Sequence, residues 1–176
     1  MPHAIQLLIL DVDGVLTDGS IAIDDHGIET KRFNVRDGLG IVIWQRLGYQ
    51  TAILTSRSSM AVRHRANELG IAHVIQGSKD KLRDFARLLA TLGLDAEQVA
   101  MIGDDLPDLP ILQRVGYAIT VADAASECVG IADYVTSARG GRGAVREAIE
   151  HLLRVRHEWD QALATYENGD HDEPDA

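Results

Sequence analysis

The sequence predicts an α/β fold: a doubly wound, mostly parallel sheet with helices on both faces, carrying a β-hairpin flap and no large cap domain. Three observations predict it. Short apolar runs alternate with helix-length segments along most of the 176 residues, which is the pattern of βαβ units. The runs at 7–10, 51–54 and 99–102 are nearly unbroken, as expected of strands buried on both faces. The stretch between the first strand and the first helix has room for a hairpin and no more.

Each element has a local reason. Residues 7–10, preceded by Ile5, form the first strand and end in Asp11-Val12-Asp13-Gly14. Residues 20–24 and 28–33 flank Asp25-His26-Gly27, a turn signal, and read as a hairpin flap over about 18–34. Asp37 is placed to cap a helix running to about Gly48, with Leu39, Ile43 and Leu47 along one face. The strand 51–54 leads to Thr55-Ser56-Arg57, after which Ser58 or Ser59 caps a helix that stops at Gly70. A short strand at 73–75 precedes a helix over 78–92, closed by Gly93. The strand 99–102 ends in Gly103-Asp104-Asp105, and Pro107 and Pro110 suit the first turn of a short helix. Strands at 117–121 and 133–135 and a helix over 143–164 complete one domain spanning 1–167. Residues 168–176 read as a disordered acidic tail.

Composition narrows the function. With 45% hydrophobic and 25% charged residues, the chain is ordinary globular protein. The net charge of -10 is concentrated near one end: seven of the 27 acids follow Arg156, the last base. The rest holds 20 acids against 17 bases and shows no basic stripe, so no nucleic-acid partner is expected. No apolar run reaches the length of a membrane span, and the start has neither a basic region nor an apolar stretch after it, so a cytoplasmic protein without membrane contact is expected. Cys128 is the lone cysteine and reads as a buried thiol.

The chemistry sits at strand ends. In open α/β sheets ligands bind at the carboxyl edge, near the switch in strand order. Three runs carry polar groups to that edge: Asp11 and Asp13, then Thr55 and Ser56, then Asp104 and Asp105. Carboxylates converging there repel unless a hard divalent cation such as Mg²⁺ lies between them. Lys81, near a helix start, can reach back to the same edge. Taken singly, each has a plain structural reading: Asp-Gly is a turn, Thr55-Ser56 a helix cap, Lys81 a solvated lysine. Together they outline a phosphoryl-transfer site, with a metal and a lysine to spread charge, amides to cradle oxygens and a carboxylate to attack.

In order and spacing, Asp11-Val12-Asp13-Gly14, Thr55, Lys81 and Gly103-Asp104-Asp105 resemble the four motifs of the haloacid dehalogenase superfamily, over about residues 5–150. The resemblance implies that Asp11 is the nucleophile, forming an aspartyl-phosphate, and that Asp13 is the general acid and then base. It implies Mg²⁺ held by Asp11, the main-chain carbonyl of Asp13, and Asp104, with Asp105 and Asp108 orienting these ligands from behind. Thr55, the Ser56 amide and Lys81 would bind the phosphoryl oxygens.

A narrower likeness is to the capless sugar-acid phosphatases of lipopolysaccharide sugar synthesis. It rests on residues 33–38, 54–57 and 140–147, on Arg65 with Leu69-Gly70-Ile71, and on Gln76-Gly77 with Lys81. This subgroup implies a sugar acid phosphate as substrate and a homotetramer whose hairpins pack together. Arg57 and Arg65 are candidate contacts for the sugar's carboxylate or hydroxyls, since a guanidinium fork fits such groups. Arg57, where nine-carbon sialic-type enzymes tend to carry an acid, points to an eight-carbon substrate; the nine-carbon one is the alternative. A plainer reading pairs Arg65 with Glu68 and Arg57 with a nearby acid. Arg142 is a further contact or only part of a flexible helix lead-in. From other classes, a receiver-type signalling domain would carry its acidic pair ahead of the phosphorylated strand end, and a non-catalytic scaffold would not need the full set of acids. A phosphomutase would need a larger cap to exclude water.

Overall fold

In the computed structural model, which describes residues 4–167, six parallel strands form one sheet in the order β5-β4-β1-β6-β7-β8. They are β1 (Leu7–Leu10), β4 (Gln50–Leu54), β5 (His73–Ile75), β6 (Val99–Ile102), β7 (Tyr117–Thr120) and β8 (Tyr134–Val135). The helices are α1 (Val35–Arg46), α2 (Met60–Glu68), α3 (Lys81–Leu92), α4 (Leu109–Leu112), α5 (Ser126–Val129), α6 (Ala144–Val155) and α7 (Trp159–Glu167). The expected acidic tail, 168–176, lies outside the described residues.

Alternation along β1 explains the two-sided core. Leu8 and Leu10 pack with Ile41 and Trp44 of α1, Val62 of α2 and Ile149 of α6. Leu7 and Ile9 face the opposite layer, with Phe85 and Leu88 of α3, Ile111 of α4 and Cys128 of α5. Cys128 is fully buried as expected, and burial pushes its thiol up to about 11, which leaves it inert.

The strand order reverses at β1, which pairs with β4 on one side and β6 on the other. Leu10 stands opposite both Ile53 and Ile102, so the residues leaving β1, β4 and β6 emerge level with one another. Asp11 and Gly103 follow those register partners directly. The site is therefore a consequence of sheet register.

Several boundaries differ from the sequence expectation. The hairpin is two short antiparallel strands, β2 (Ala22–Ile23) and β3 (Glu29–Thr30), because most of the flap is held by local turns at Asp24 rather than by a ladder. The cap of α1 is Asn34, which accepts from the Arg36 amide. Asp37 instead lies buried in the first turn and accepts from the Gly143 and Arg146 amides, so it caps α6. Along α1 the buried face includes Gly40, Ile41 and Trp44 as well as the expected Ile43, with Leu47 packed against the core, whereas Leu39 is 41% exposed; Gly40 lets α1 approach the Arg146 backbone of α6. Helix α3 begins at Lys81 behind an Asp80 cap, three residues later than expected. The long final helix is two. His157 adopts a left-handed conformation (φ 62°), its amide bonding to Arg154 O while that of Glu158 bonds to Leu153 O, a paired closure that ends α6 and turns the chain into α7.

Candidate active site

Asp11 leaves β1 with its amide on Ile102 O at 3.1 Å, which ties the two central strand ends together. Residues 12–16 then make a helical turn broken at Asp13 and Gly14, where Gly14 takes φ 91°. A Cβ at Gly14 would sit 2.0 Å from Asp104 Oδ2, so only glycine lets this turn pass the third strand's acid. Gly103 is equally constrained, since its Cβ would lie 2.6 Å from that of Asp108. Thr120, buried on β7, donates to Gly103 O at 2.7 Å and fixes the loop from behind.

These constraints bring Asp11, Asp104 and Asp108 together, with one oxygen from each inside a sphere where all lie within 4.8 Å of one another. Lys81 Nζ stands between two of them, 3.1 Å from Asp11 Oδ1 and 2.7 Å from Asp108 Oδ1. Asp108 Oδ2 accepts from the Asp104 amide at 3.1 Å. Burial raises the Asp11 carboxyl to about 6, reinforced by Asp108 and opposed by Lys81. Burial likewise raises Asp104 to about 7, with Asp11, Asp108 and Asp105 adding repulsion. For Lys81, burial works against the charge, but Asp11 and Asp108 outweigh it and its pKa is raised.

With all three carboxylates ionised, one ammonium leaves a double negative charge uncompensated, the repulsion that helps to raise Asp104 and Asp11. Asp11 Oδ1 and Asp104 Oδ1 are buried without a hydrogen bond; Lys81 is near the former but misaligned for one. Buried carboxylate oxygens clustered this closely, with Asp104 Oδ1 left without a partner, suit a hard divalent cation that takes oxygen ligands. The donor set fits Mg²⁺.

The remaining candidates are placed unevenly. Thr55 is buried at the end of β4, its backbone bonded to Ile75 O and the Ser78 amide, while Ser56 is exposed beside it. Asp105 is exposed and caps the next turn through the Leu106 amide. Asp108, expected behind the ligands, belongs to the cluster itself. The Asp13 side chain is not one of the three clustered acids and pairs with Lys31, with Arg57 Nε at 3.8 Å. Arg57 also meets Glu29 at 2.9 Å. Arg65 bonds to Glu68 at 2.8 Å and lies over Gly38, whose Cβ would sit 2.1 Å from Nη2. Among the described residues Arg65 pairs with Glu68 rather than with the clustered acids, and the plainer i,i+3 pairing is the one observed. Arg142 is paired with Asp18 at 3.4 Å.

Lys31 and Glu29 were not singled out by sequence reasoning. Their signal is weak: two charged residues at i and i+2, one on β3 and one just past it, commonly mean only a solvated face.

Fold and site define a haloacid dehalogenase-like hydrolase, and the model of that family matches residues 34–116. More narrowly, the chain belongs to the family of 3-deoxy-D-manno-octulosonate 8-phosphate phosphatases. It is 48% identical over 158 residues to the Salmonella typhi phosphatase of that name, covering 90% of this chain and 84% of the relative. The Moraxella catarrhalis phosphatase, solved with magnesium, phosphate and the KDO molecule, superposes with a TM-score of 0.91 at 43% identity, over 94% of this chain and 95% of that one. The cobalt-bound Haemophilus influenzae phosphatase gives 0.87 at 38% identity, over 93% and 98%.

Proposed function

We propose that this chain is a Mg²⁺-dependent phosphomonoesterase that hydrolyses 3-deoxy-D-manno-octulosonate 8-phosphate to the free sugar acid and inorganic phosphate, within lipopolysaccharide synthesis in the cytoplasm. The observation that carries the reading is the convergence of Asp11, Asp104 and Lys81 at the strand-order switch, in a chain 48% identical to phosphatases of that name. Residues 1–167 act as one domain, with the hairpin as the cover among the described residues.

Asp11 attacks phosphorus and forms an aspartyl-phosphate, splitting one displacement into two. Asp13 protonates the departing sugar oxygen, then takes a proton from the water that hydrolyses the intermediate. Asp11, the main-chain carbonyl of Asp13, and Asp104 hold the magnesium, with Asp108 beside them. When bound, the ion neutralises the acids and draws charge from the phosphoryl oxygens. Lys81, Thr55 and the Ser56 amide hold those oxygens in line. Arg57, beside Asp13, receives the sugar acid's carboxylate and hydroxyls, while Asp108 orients Asp104 by accepting from its amide.

The hairpin supports a homotetramer. Ile21, Ile23 and Ile28, on or beside the two short hairpin strands, are 55%, 60% and 62% exposed, and packing flaps of several copies together would bury them. Light scattering on the eluted protein should give four subunits.

The test is phosphate release across a panel of sugar phosphates with Mg²⁺. The eight-carbon sugar acid phosphate should be the best substrate. Equal rates with simple hexose phosphates would sink the named substrate, and a nine-carbon preference would favour the sialic-type alternative. Asp11→Asn should abolish turnover in every case.

A further inference from the structure

The Asp13 carboxylate is oriented from the flap. Its oxygens meet Lys31, and Arg57 at 3.8 Å. The two cations differ in kind. The Arg57 side chain is 45% exposed, whereas that of Lys31 is 2% exposed and also lies 3.3 Å from Glu29 Oε1. A buried ammonium between two carboxylates has little freedom, and a long charged side chain is seldom buried without such pairing. Lys31 follows β3, eighteen residues along the chain from Asp13. The contact therefore exists only when the hairpin lies against the strand ends.

We propose that Lys31 is a positioning residue that aims Asp13 at the departing oxygen, so that docking of the hairpin completes the acid–base machinery. The proposal deepens the phosphatase reading and rests on it. In the first step Asp11 bonds to phosphorus, the ester P–O bond breaks, and its electron pair stays on the sugar oxygen, which takes the Asp13 proton. In the second, the Asp13 carboxylate takes a proton from water as the water oxygen bonds to phosphorus and releases Asp11. A misaimed Asp13 impairs the first step only where the leaving oxygen needs a proton. An alkyl phosphate needs it, and p-nitrophenyl phosphate, whose leaving group is stable as an anion, does not.

The experiment compares kcat/KM, which reports on steps up to leaving-group departure, for both substrates with Mg²⁺. Lys31→Met should lower kcat/KM for the sugar acid phosphate by about 10- to 100-fold, within the range of general acid catalysis, and for p-nitrophenyl phosphate by less than about threefold. Lys31→Arg should restore most of the alkyl activity. Lys31→Gln serves as a second neutral variant if the methionine protein does not fold. Equal losses on both substrates, or no loss on either, would overturn the positioning role. Asp13→Asn is the control on the parent reading. If that variant retains alkyl phosphate hydrolysis, acid–base chemistry at Asp13 fails and takes this proposal with it; if it loses it while Lys31→Met does not, only the role of Lys31 fails.

Discussion

Lys81 Nζ lies 2.7 Å from Asp108 Oδ1, and neither side chain is more than 4% exposed. The pair joins the start of α3 to the loop after β6, and the same ammonium reaches Asp11 at the end of β1. One cation thus ties three strand-end segments to a common point.

Removing that cation should be severe. Lys81→Met leaves buried carboxylates without their partner, a loss on the order of 3 kcal/mol in stability. Phosphatase activity should fall by at least about 100-fold, as for other transition-state charge stabilisers. Denaturant melts and steady-state rates check both, and a variant with wild-type stability would contradict the charge argument.

Metal-free stability should fall as pH rises. Asp104 at about 7 and Asp11 at about 6 hold protons that an unfolded chain, with carboxyls at 3.8, has released. Between about pH 4 and 7 these two groups bind more protons folded than unfolded, so their contribution to stability is lost as pH rises through the folded values. The difference in melting temperature between wild type and Asp104→Asn, measured in chelator across this range, isolates the effect: the variant should gain on wild type with rising pH.

The same shifts make metal binding compete with protons. Mg²⁺ affinity should weaken as pH falls below about 7, and binding near pH 6.5 should release protons. Calorimetry in buffers of different ionisation heat reads the proton count directly. No buffer dependence there would argue against these acids as ligands.

Gly14→Ala tests the close approach. The added Cβ would fall 2.0 Å from Asp104 Oδ2 and must hold φ 91°. The side chain of Asp104 can swing away, so the domain should still fold, at a cost of about 1–2 kcal/mol for the left-handed backbone. Mg²⁺ affinity should drop at least tenfold. Undiminished affinity would mean that Asp104 is not needed in its observed position.

His157→Gly should stabilise the protein. His157 is exposed and adopts φ 62° at the junction of α6 and α7, a conformation glycine reaches without strain. Relief of a left-handed backbone, about 1–2 kcal/mol, exceeds the extra unfolded-chain entropy of glycine, about 0.4–1 kcal/mol, so urea melts should show a net gain with activity unchanged.

The amino-acid sequence determined the sheet, the identity of the acids and the order in which they arrive. Unbroken apolar runs such as Leu7–Leu10 have few alternatives to a two-sided buried strand, and their last residues must lie at the sheet's edge. What each side chain does there was a tertiary matter. Asp37 reads as a cap for its own helix but caps α6, because a carboxylate takes whichever free amides the packing brings near. Asp108 entered the acid cluster through a close turn at Gly103, and Asp13 left it for a lysine on the flap. Such pairings depend on distances between segments far apart in the chain, and local propensity carries no information about them.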